Sequence, residues 1–151
     1  ITPVEMKRCV VKLDEKDKNK KQLRWQKISE VAAKQCGRDI IPQINNITNI
    51  KNVCNLIEKY DIVLVAYENE KENTLKQQLK TIKTQLKNEE NSSNNTIKIG
   101  VVIGPEGGLE DQDVELLKEN GAKVITLGNR ILRTETVALN VLSIIMYELE
   151  K

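Results

Sequence analysis

Two short apolar runs, residues 61–67 (DIVLVAY) and 97–103 (IKIGVVI), constrain the fold of this chain more than any other feature. A strand with one wet face alternates apolar and polar residues. A run without alternation belongs to a strand covered on both faces, as in a parallel sheet between helices. The segments around these runs carry the helical period. Trp25, Ile28, Ala32 and Cys36 recur at helical spacing before Gly37, and Ile50, Val53, Cys54 and Ile57 mark a helix ending near Lys59. Leu75, Leu79, Ile82 and Leu86 form a third stripe, residues 111–120 a helix closed by Gly121, and residues 135–150 a last helix. Residues 8–13 and 123–127 read as further strands, and the polar segment 87–96 (KNEENSSNNT) as a surface loop without chemical role. This order predicts an α/β domain with a mostly parallel sheet flanked by helices.

The chain has 151 residues, enough for one domain with a full core, and its start at Ile1 is expected of a piece of a longer protein. Its net charge of +2 does not announce a polyanionic partner, so an RNA-binding face would have to concentrate the basic residues. The absence of histidine excludes a His general base, a Ser-His or Cys-His nucleophile pair and a His-ligated metal. Phe is absent as well, which leaves Trp25 and the tyrosines for stacking on bases. Cys9, Cys36 and Cys54 form no C-x-x-C pair; they are expected as small core residues in a reducing compartment, with no metal site. No apolar run approaches the roughly 20 residues that span a bilayer, so no membrane partner is expected. Along the last helix Ala138, Val141, Leu142, Ile145 and Leu149 make an apolar stripe that Val137, Ile144 and Met146 widen beyond one face. Such a helix is either a central core element or a dimer interface.

Three motifs carry chemistry. Ile103-Gly104-Pro105-Glu106-Gly107-Gly108 joins a buried strand to a helix, the place where open α/β sheets bind ligands. It lacks the Gly-Lys-Ser/Thr of a phosphate-binding loop and is not G-x-G-x-x-G. Glu106 would repel an anion but could accept ribose hydroxyls or balance a cation; a tight turn without ligand is the other reading. The second motif runs from Leu127-Gly128-Asn129-Arg130 through Ile131-Leu132-Arg133 to Thr134-Glu135-Thr136. Thr134 suits a helix N-cap and Glu135 a first turn, while Arg130 and Arg133 suit phosphate or carboxylate. The third pairs Arg24-Trp25-Gln26-Lys27-Ile28 with Gln35-Cys36-Gly37-Arg38. There Trp25 is a core or interface residue or a stacking platform, and Arg38 answers a helix dipole or touches an RNA backbone.

At these residues the chain resembles the RsmE family of ribosomal RNA uridine-N3 methyltransferases. IGPEGG and LGNRILRTET look like its paired signature, and ITPVEMKRCVVKL and RWQKISEVAAKQCGR resemble its upstream blocks. The family belongs to the SPOUT class. The resemblance therefore implies an α/β sheet with a C-terminal trefoil knot, a homodimer, and S-adenosylmethionine held bent between three loops. It implies cofactor contacts at Leu64, Val65, Tyr67 and Glu68, at Ile103, Gly104, Pro105, Glu106, Gly107 and Gly108, and at Leu127, Gly128, Asn129, Ile131, Leu132 and Arg133. The partner would be ribosomal RNA of the small subunit, touched by Arg8, Arg24 and Arg38. An N-terminal PUA-type barrel and the first strand and helix of the methyltransferase domain are missing relative to the family, so residues 1–151 are expected to be an N-terminally incomplete SPOUT domain. Where the family has Ser or another good cap after Leu109, this chain has Glu110, which makes Asp111 the expected cap.

Methylation of uridine N3 requires loss of a weakly acidic proton. Without histidine, Glu135 and Glu106 are the expected proton acceptors, and Arg133 and Arg130 the stabilisers of uracil oxygen or RNA phosphate. A non-catalytic RNA-binding module that kept the knot is the alternative, and a nucleotide-binding α/β protein without a knot a third. Bacterial relatives imply the cytoplasm; a eukaryotic owner would use such an enzyme in mitochondria or plastids.

Overall fold

The computed structural model describes residues 1–88 and 96–149. The expected polar loop therefore lies, for residues 89–95, outside the described residues. The chain forms two compact units, Ile1–Val53 and Cys54–Lys151.

The first unit contains β1 (Val4–Glu5), α1 (Glu15–Gln35), β2 (Thr48–Asn49) and the start of α2 (Ile50–Ile57). β1 pairs in parallel with β2, Val4 opposite Thr48. The strand expected over residues 8–13 does not form. The chain turns instead, with the Cys9 amide donating to the Met6 carbonyl at 3.1 Å and the Met6 amide to Cys9 Sγ at 3.4 Å. Val10 and Val11 are left exposed. Their β-propensity has no neighbouring strand on which to act.

α1 begins well before Trp25 because Asp14 caps it, Oδ1 accepting from the Asp17 amide at 2.8 Å, with Glu15 and Asp17 in the first turn. The helix therefore takes in the charged residues 15–21. The buried face of α1 also departs from expectation. Ser29 and Ala33 are buried, while Ile28 and Ala32 are exposed and Trp25 is half-buried beneath the Lys21 ammonium, 5.9 Å from the ring centroid. Hydrogen bonds decide this orientation. Gln22 Nε2 donates to the Ile44 carbonyl (2.9 Å), Gln26 Oε1 accepts from the Ile44 amide (2.8 Å), and Ser29 Oγ donates to the Pro42 carbonyl (2.7 Å). A helix face that satisfies an extended segment must be polar, since unpaired backbone groups are costly to bury. Gly37, at φ +68°, ends the helix in the left-handed region. Cys36 is exposed and Cys9 half-buried, so only Cys54 meets the expectation of a core cysteine.

The second unit contains β3 (Ile62–Ala66), α3 (Leu75–Asn88), β4 (Ile99–Ile103), α4 (Asp111–Glu119), β5 (Lys123–Ile125) and α5 (Thr134–Leu149). The three strands form one all-parallel sheet in the order β4-β3-β5. β3 is central, with Val63, Leu64 and Val65 buried; β4 lies at an edge and is only half-buried along its length, so burial on both faces holds for β3 alone. Leu64 packs with Leu75, Leu79, Ile82, Ile125 and Val141, while Val63 and Val65 turn to the opposite face. α4 packs against β5 and buries Val114 and Leu117.

Helix ends in this unit follow local chemistry. Thr74 and Gln77 form a reciprocal capping box at α3, Gln77 Oε1 accepting from the Thr74 amide (2.7 Å) and Thr74 Oγ1 from the Gln77 amide (3.2 Å). The cap of α4 is Glu110, without a side-chain bond; Asp111 is the first helical residue, and its carboxylate is taken by the Tyr67 hydroxyl. Gly121, at φ +98°, follows the end of α4. Thr134 is the first residue of α5. Within this chain α5 buries only Val141 fully and leaves Leu139, Leu142 and Met146 exposed, so it is not a central core helix. Lys83 and Glu148 form an ion pair between α3 and α5. Among the described residues, no helix is long and apolar enough to cross a membrane.

Candidate functional site

Because the sheet is parallel, the carboxyl ends of β3, β4 and β5 share one edge, and the chain leaves β3 for one side of it and comes back on the other. Such edges are where open α/β sheets bind ligands. The loops that follow the three strands are tied together by hydrogen bonds. The Tyr67 amide donates to the Ile125 carbonyl (3.1 Å), the Thr126 amide to Asn73 (2.8 Å) and the Leu75 amide to Thr126 (3.2 Å), joining the first loop to the third. The Tyr67 hydroxyl on Asp111 joins the first to the end of the second. Thr134 Oγ1 donates to the Gly104 carbonyl at 3.3 Å and joins the third to the second.

Each loop is also stiff in itself. In the first, the Glu70 carboxylate accepts from the amides of Lys71, Glu72 and Asn73 at 2.9, 2.8 and 3.0 Å. These amides, Asn73 foremost, hold its carboxyl below the usual carboxylate range. In the second, the Gly108 amide closes a turn on the Pro105 carbonyl at 2.8 Å. Gly104 is required there for space: a Cβ would stand 3.0 Å from Leu109 Cγ and 3.1 Å from the Leu109 amide. In the third, Gly128 has φ +109° and its amide donates to Thr126 Oγ1 at 3.2 Å.

Between the loops lies a cleft of about 670 Å³, within the range of sites for small molecules. Its lining includes Ile103, Gly104, Pro105, Glu106, Gly107, Gly108, Leu127, Gly128, Asn129, Arg130, Ile131, Leu132, Arg133 and Glu135, together with Tyr67 and Glu68. Two expected contacts are elsewhere: Leu64 and Val65 are fully buried in β3 and do not line the cleft. Ala66, Lys71 and Thr126 line it without having been singled out in the sequence; Thr134, read there as a helix cap, and Val137, read as part of an apolar stripe, line it as well. Lys71 stands in a polar stretch with no periodicity, and only the loop conformation brings it there, its ammonium on the Glu68 carbonyl at 2.8 Å. The place of Thr134 at a helix start was read from its motif, but not the bond its hydroxyl makes across to the Gly104 carbonyl. Arg8, Arg24 and Arg38 are exposed residues of the first unit and are not part of the cleft lining.

The cleft mixes an apolar lining, from Ile103, Leu127, Leu132 and Val137, with charges at its rim. Arg130, Arg133, Glu106 and Glu135 are exposed and make no ion pair among the described residues. The hydrogen bond to Asp111, and then burial, raise the Tyr67 phenol above its ordinary pKa. Among the described residues no group of His, Cys, Asp and Glu is arranged to hold a metal ion. Backbone amides, glycines and apolar walls suit a flat ring and its sugar, carboxylates suit hydroxyls or a cation, and the arginines suit an anion.

Residues 1–146 match the family described as RNA methyltransferase domain. The chain is 35% identical over 148 residues to the ribosomal RNA small subunit methyltransferase E of Bacillus subtilis, covering 98% of this chain and 55% of that protein. It is 34% identical to the enzyme of the same name from Mesomycoplasma hyopneumoniae, over 84% of this chain and 49% of the relative. It thus spans about half the length of the curated relatives it matches. Among solved structures, the small subunit methyltransferase E of Neisseria gonorrhoeae bound to S-adenosyl methionine superposes with a TM-score of 0.76 at 27% identity, over 97% of this chain and 53% of that one. A Legionella pneumophila protein in complex with the same cofactor does so with a TM-score of 0.76 at 28% identity, over 97% of this chain and 54% of that one. A sequence match that runs through both glycine loops, on a fold shared with these proteins, assigns the chain to the RNA methyltransferase domain family.

Proposed function

We propose that this chain is the cofactor-binding and catalytic part of an S-adenosylmethionine-dependent methyltransferase acting on N3 of a uridine in small-subunit ribosomal RNA. One observation carries the reading: the loops after three parallel strands converge on a single cleft that is apolar inside and charged at its rim. The residues fit the cofactor. Ile103, Leu127, Leu132 and Val137 offer an apolar slot for adenine, Glu68 and Glu106 can accept ribose hydroxyls or face a sulfonium, and the glycine backbones allow close approach. The likeness to relatives named ribosomal RNA small subunit methyltransferase E, and to two solved structures that hold the cofactor, supports it.

The cofactor supplies an electrophilic methyl group, and the chain's residues do the rest. Uridine N3 becomes a nucleophile as its proton leaves. Glu135 and Glu106, exposed and without ion pairs among the described residues, are the acceptors in reach of the cleft. Arg133 and Arg130 stabilise negative charge on uracil oxygens or hold an RNA phosphate. Arg8, Arg24 and Arg38 bind RNA. The reading includes a trefoil knot near the C-terminus and a homodimer. The hydrogen bond from Thr134 to Gly104 supports the first by drawing the C-terminal loop against the middle one, and the exposed Leu139, Leu142 and Met146 of α5 support the second.

Calorimetric titration of the 151-residue chain with S-adenosylhomocysteine, with ATP as control, tests the proposal. Saturable binding of the first ligand alone is expected. No binding in a folded sample, or equal binding of ATP, would refute it.

A further inference from the structure

Helix α1 carries much more charge than the chain as a whole. Between Glu15 and Gln35 there are seven cationic and three anionic side chains, a net of +4, in a chain of overall charge +2. Lys18 is paired with Glu5 and Glu15, and Lys21 lies over Trp25. The other five cations, Lys16, Lys20, Arg24, Lys27 and Lys34, are all exposed and make no ion pair among the described residues. At 3.6 residues per turn these five fall within an arc of about 80° and extend over about 27 Å of helix. Val31 is the single neutral residue in that arc; Glu30 and Asp17 lie just outside it.

The opposite face of the same helix, Gln22, Gln26, Ser29 and Ala33, is occupied by the extended segment around Pro42 and Ile44. The orientation of α1 is therefore set by its own packing, and the basic strip points away from it. An ordinary solvated helix intersperses acids at i+3 or i+4, because like charges at that spacing repel by a few tenths of a kcal/mol per pair. Here Lys16, Lys20, Arg24 and Lys27 follow one another at i+4, i+4 and i+3, while the acids at such spacings, Asp17 before Lys20 and Glu30 between Lys27 and Lys34, stand outside the arc and form no ion pair with the strip among the described residues. A partner that supplies regularly spaced negative charge relieves the repulsion.

We infer that this face of α1 is a docking strip for the phosphate backbone of RNA, read without regard to sequence; the inference rests on the reading that the chain acts on RNA. A linear array of point charges about 6 Å apart suits successive phosphates. A membrane surface is the poorer fit, since helices that lie in lipid pair their basic flank with a broad apolar face, and the face opposite this strip is polar and already used.

The test is fluorescence anisotropy of a labelled 20-base-pair RNA duplex of mixed sequence, titrated with the 151-residue chain over a range of salt. Three proteins are compared: the unaltered chain, the triple variant K16Q/K20Q/K27Q, and K51Q/K80Q/K123Q, which removes the same charge from exposed positions elsewhere. Glutamine keeps helix propensity close to that of lysine, so folding is not at risk. The strip variant is expected to bind at least tenfold more weakly at 0.15 M salt. Its plot of log K against log salt should flatten by about two, from about 0.7–0.9 per lost phosphate contact. The control variant should stay within about threefold of the unaltered chain. Equal losses in both variants, or no loss in the strip variant, overturn the strip. So does strip-dependent binding to phosphatidylserine vesicles in place of the duplex. Calorimetry with S-adenosylhomocysteine on the same samples separates the two proposals: unchanged cofactor binding with a failed strip leaves the methyltransferase reading standing, whereas absent cofactor binding refutes that reading directly.

Discussion

Gly104→Ala is the substitution that tests most directly how the cleft is built. Gly104 does not have a positive φ, so alanine meets no backbone strain there. It meets atoms. The added carbon would stand 3.0 Å from Leu109 Cγ, 3.1 Å from the Leu109 amide nitrogen and 3.3 Å from the Gly108 carbonyl carbon. Carbon contacts settle at about 3.5–4.0 Å, so the turn has to give by roughly 0.5 Å or more. Leu109 is 2% exposed and has no room to withdraw, and two of the three atoms are backbone. Overpacking of this kind costs about 1–3 kcal/mol. If the turn stays in place, the cost appears as lost stability. If the turn moves, it displaces Pro105 to Gly108, all of which line the cleft, and weakens ligand binding by up to about 100-fold at 1.4 kcal/mol per decade. Urea denaturation and calorimetric titration with S-adenosylhomocysteine read the two together. Gly121→Ala is the control: its φ of +98° makes alanine unfavourable, but nothing lies within 4 Å and the site is remote from the lining. It should cost about 1–2 kcal/mol of stability and leave ligand affinity unchanged. Should Gly104→Ala leave both stability and affinity as they were, the packing argument for this glycine is wrong.

Three further outcomes follow from the same geometry. Thr134→Val keeps shape but removes the donor to the Gly104 carbonyl; about 0.5–1.5 kcal/mol of stability should be lost, with a several-fold weaker affinity for S-adenosylhomocysteine, and an unchanged affinity would show that this bond does not shape the cleft. Ile82→Ala empties a site that is 0% exposed in the core shared by β3, α3 and α5, so the urea midpoint should fall by the equivalent of about 2–5 kcal/mol. Glu70 is held below the usual carboxylate range by the amides of Asn73, Glu72 and Lys71. A depressed folded pKa contributes stability that is present above the unfolded value and disappears as pH falls through the folded one. Glu70→Gln should therefore flatten the loss of stability on the acid side of the carboxylate range while leaving the dependence at neutral pH alone, and parallel acid limbs would refute the assignment.

How much of this was legible in the sequence varies along the chain. The run at residues 61–67 could only be a strand covered on both faces, and β3 is that strand, because apolar residues without alternation have nowhere to hide from water in a half-exposed sheet. The stripe Leu75, Leu79, Ile82 turned inward for the same reason. The glycine motifs announced the two loops where the backbone needed room or positive φ at Gly104, Gly108 and Gly128. These are local demands, and one-dimensional pattern carries them. Sequence misread the places where a distant partner decided. Val10 and Val11 found no strand to pair with, α1 was turned by hydrogen bonds to residues 42–44 rather than by its apolar period, and Asp111 was drawn from capping to the Tyr67 hydroxyl. Lys71 entered the cleft through a loop whose shape is set by Glu70 and Asn73. The sequence by itself determined which segments fold and which carry chemistry, through burial and backbone freedom. Tertiary structure alone decided which of those segments meet, because a hydrogen bond such as Thr134 to Gly104 joins residues that no local pattern relates.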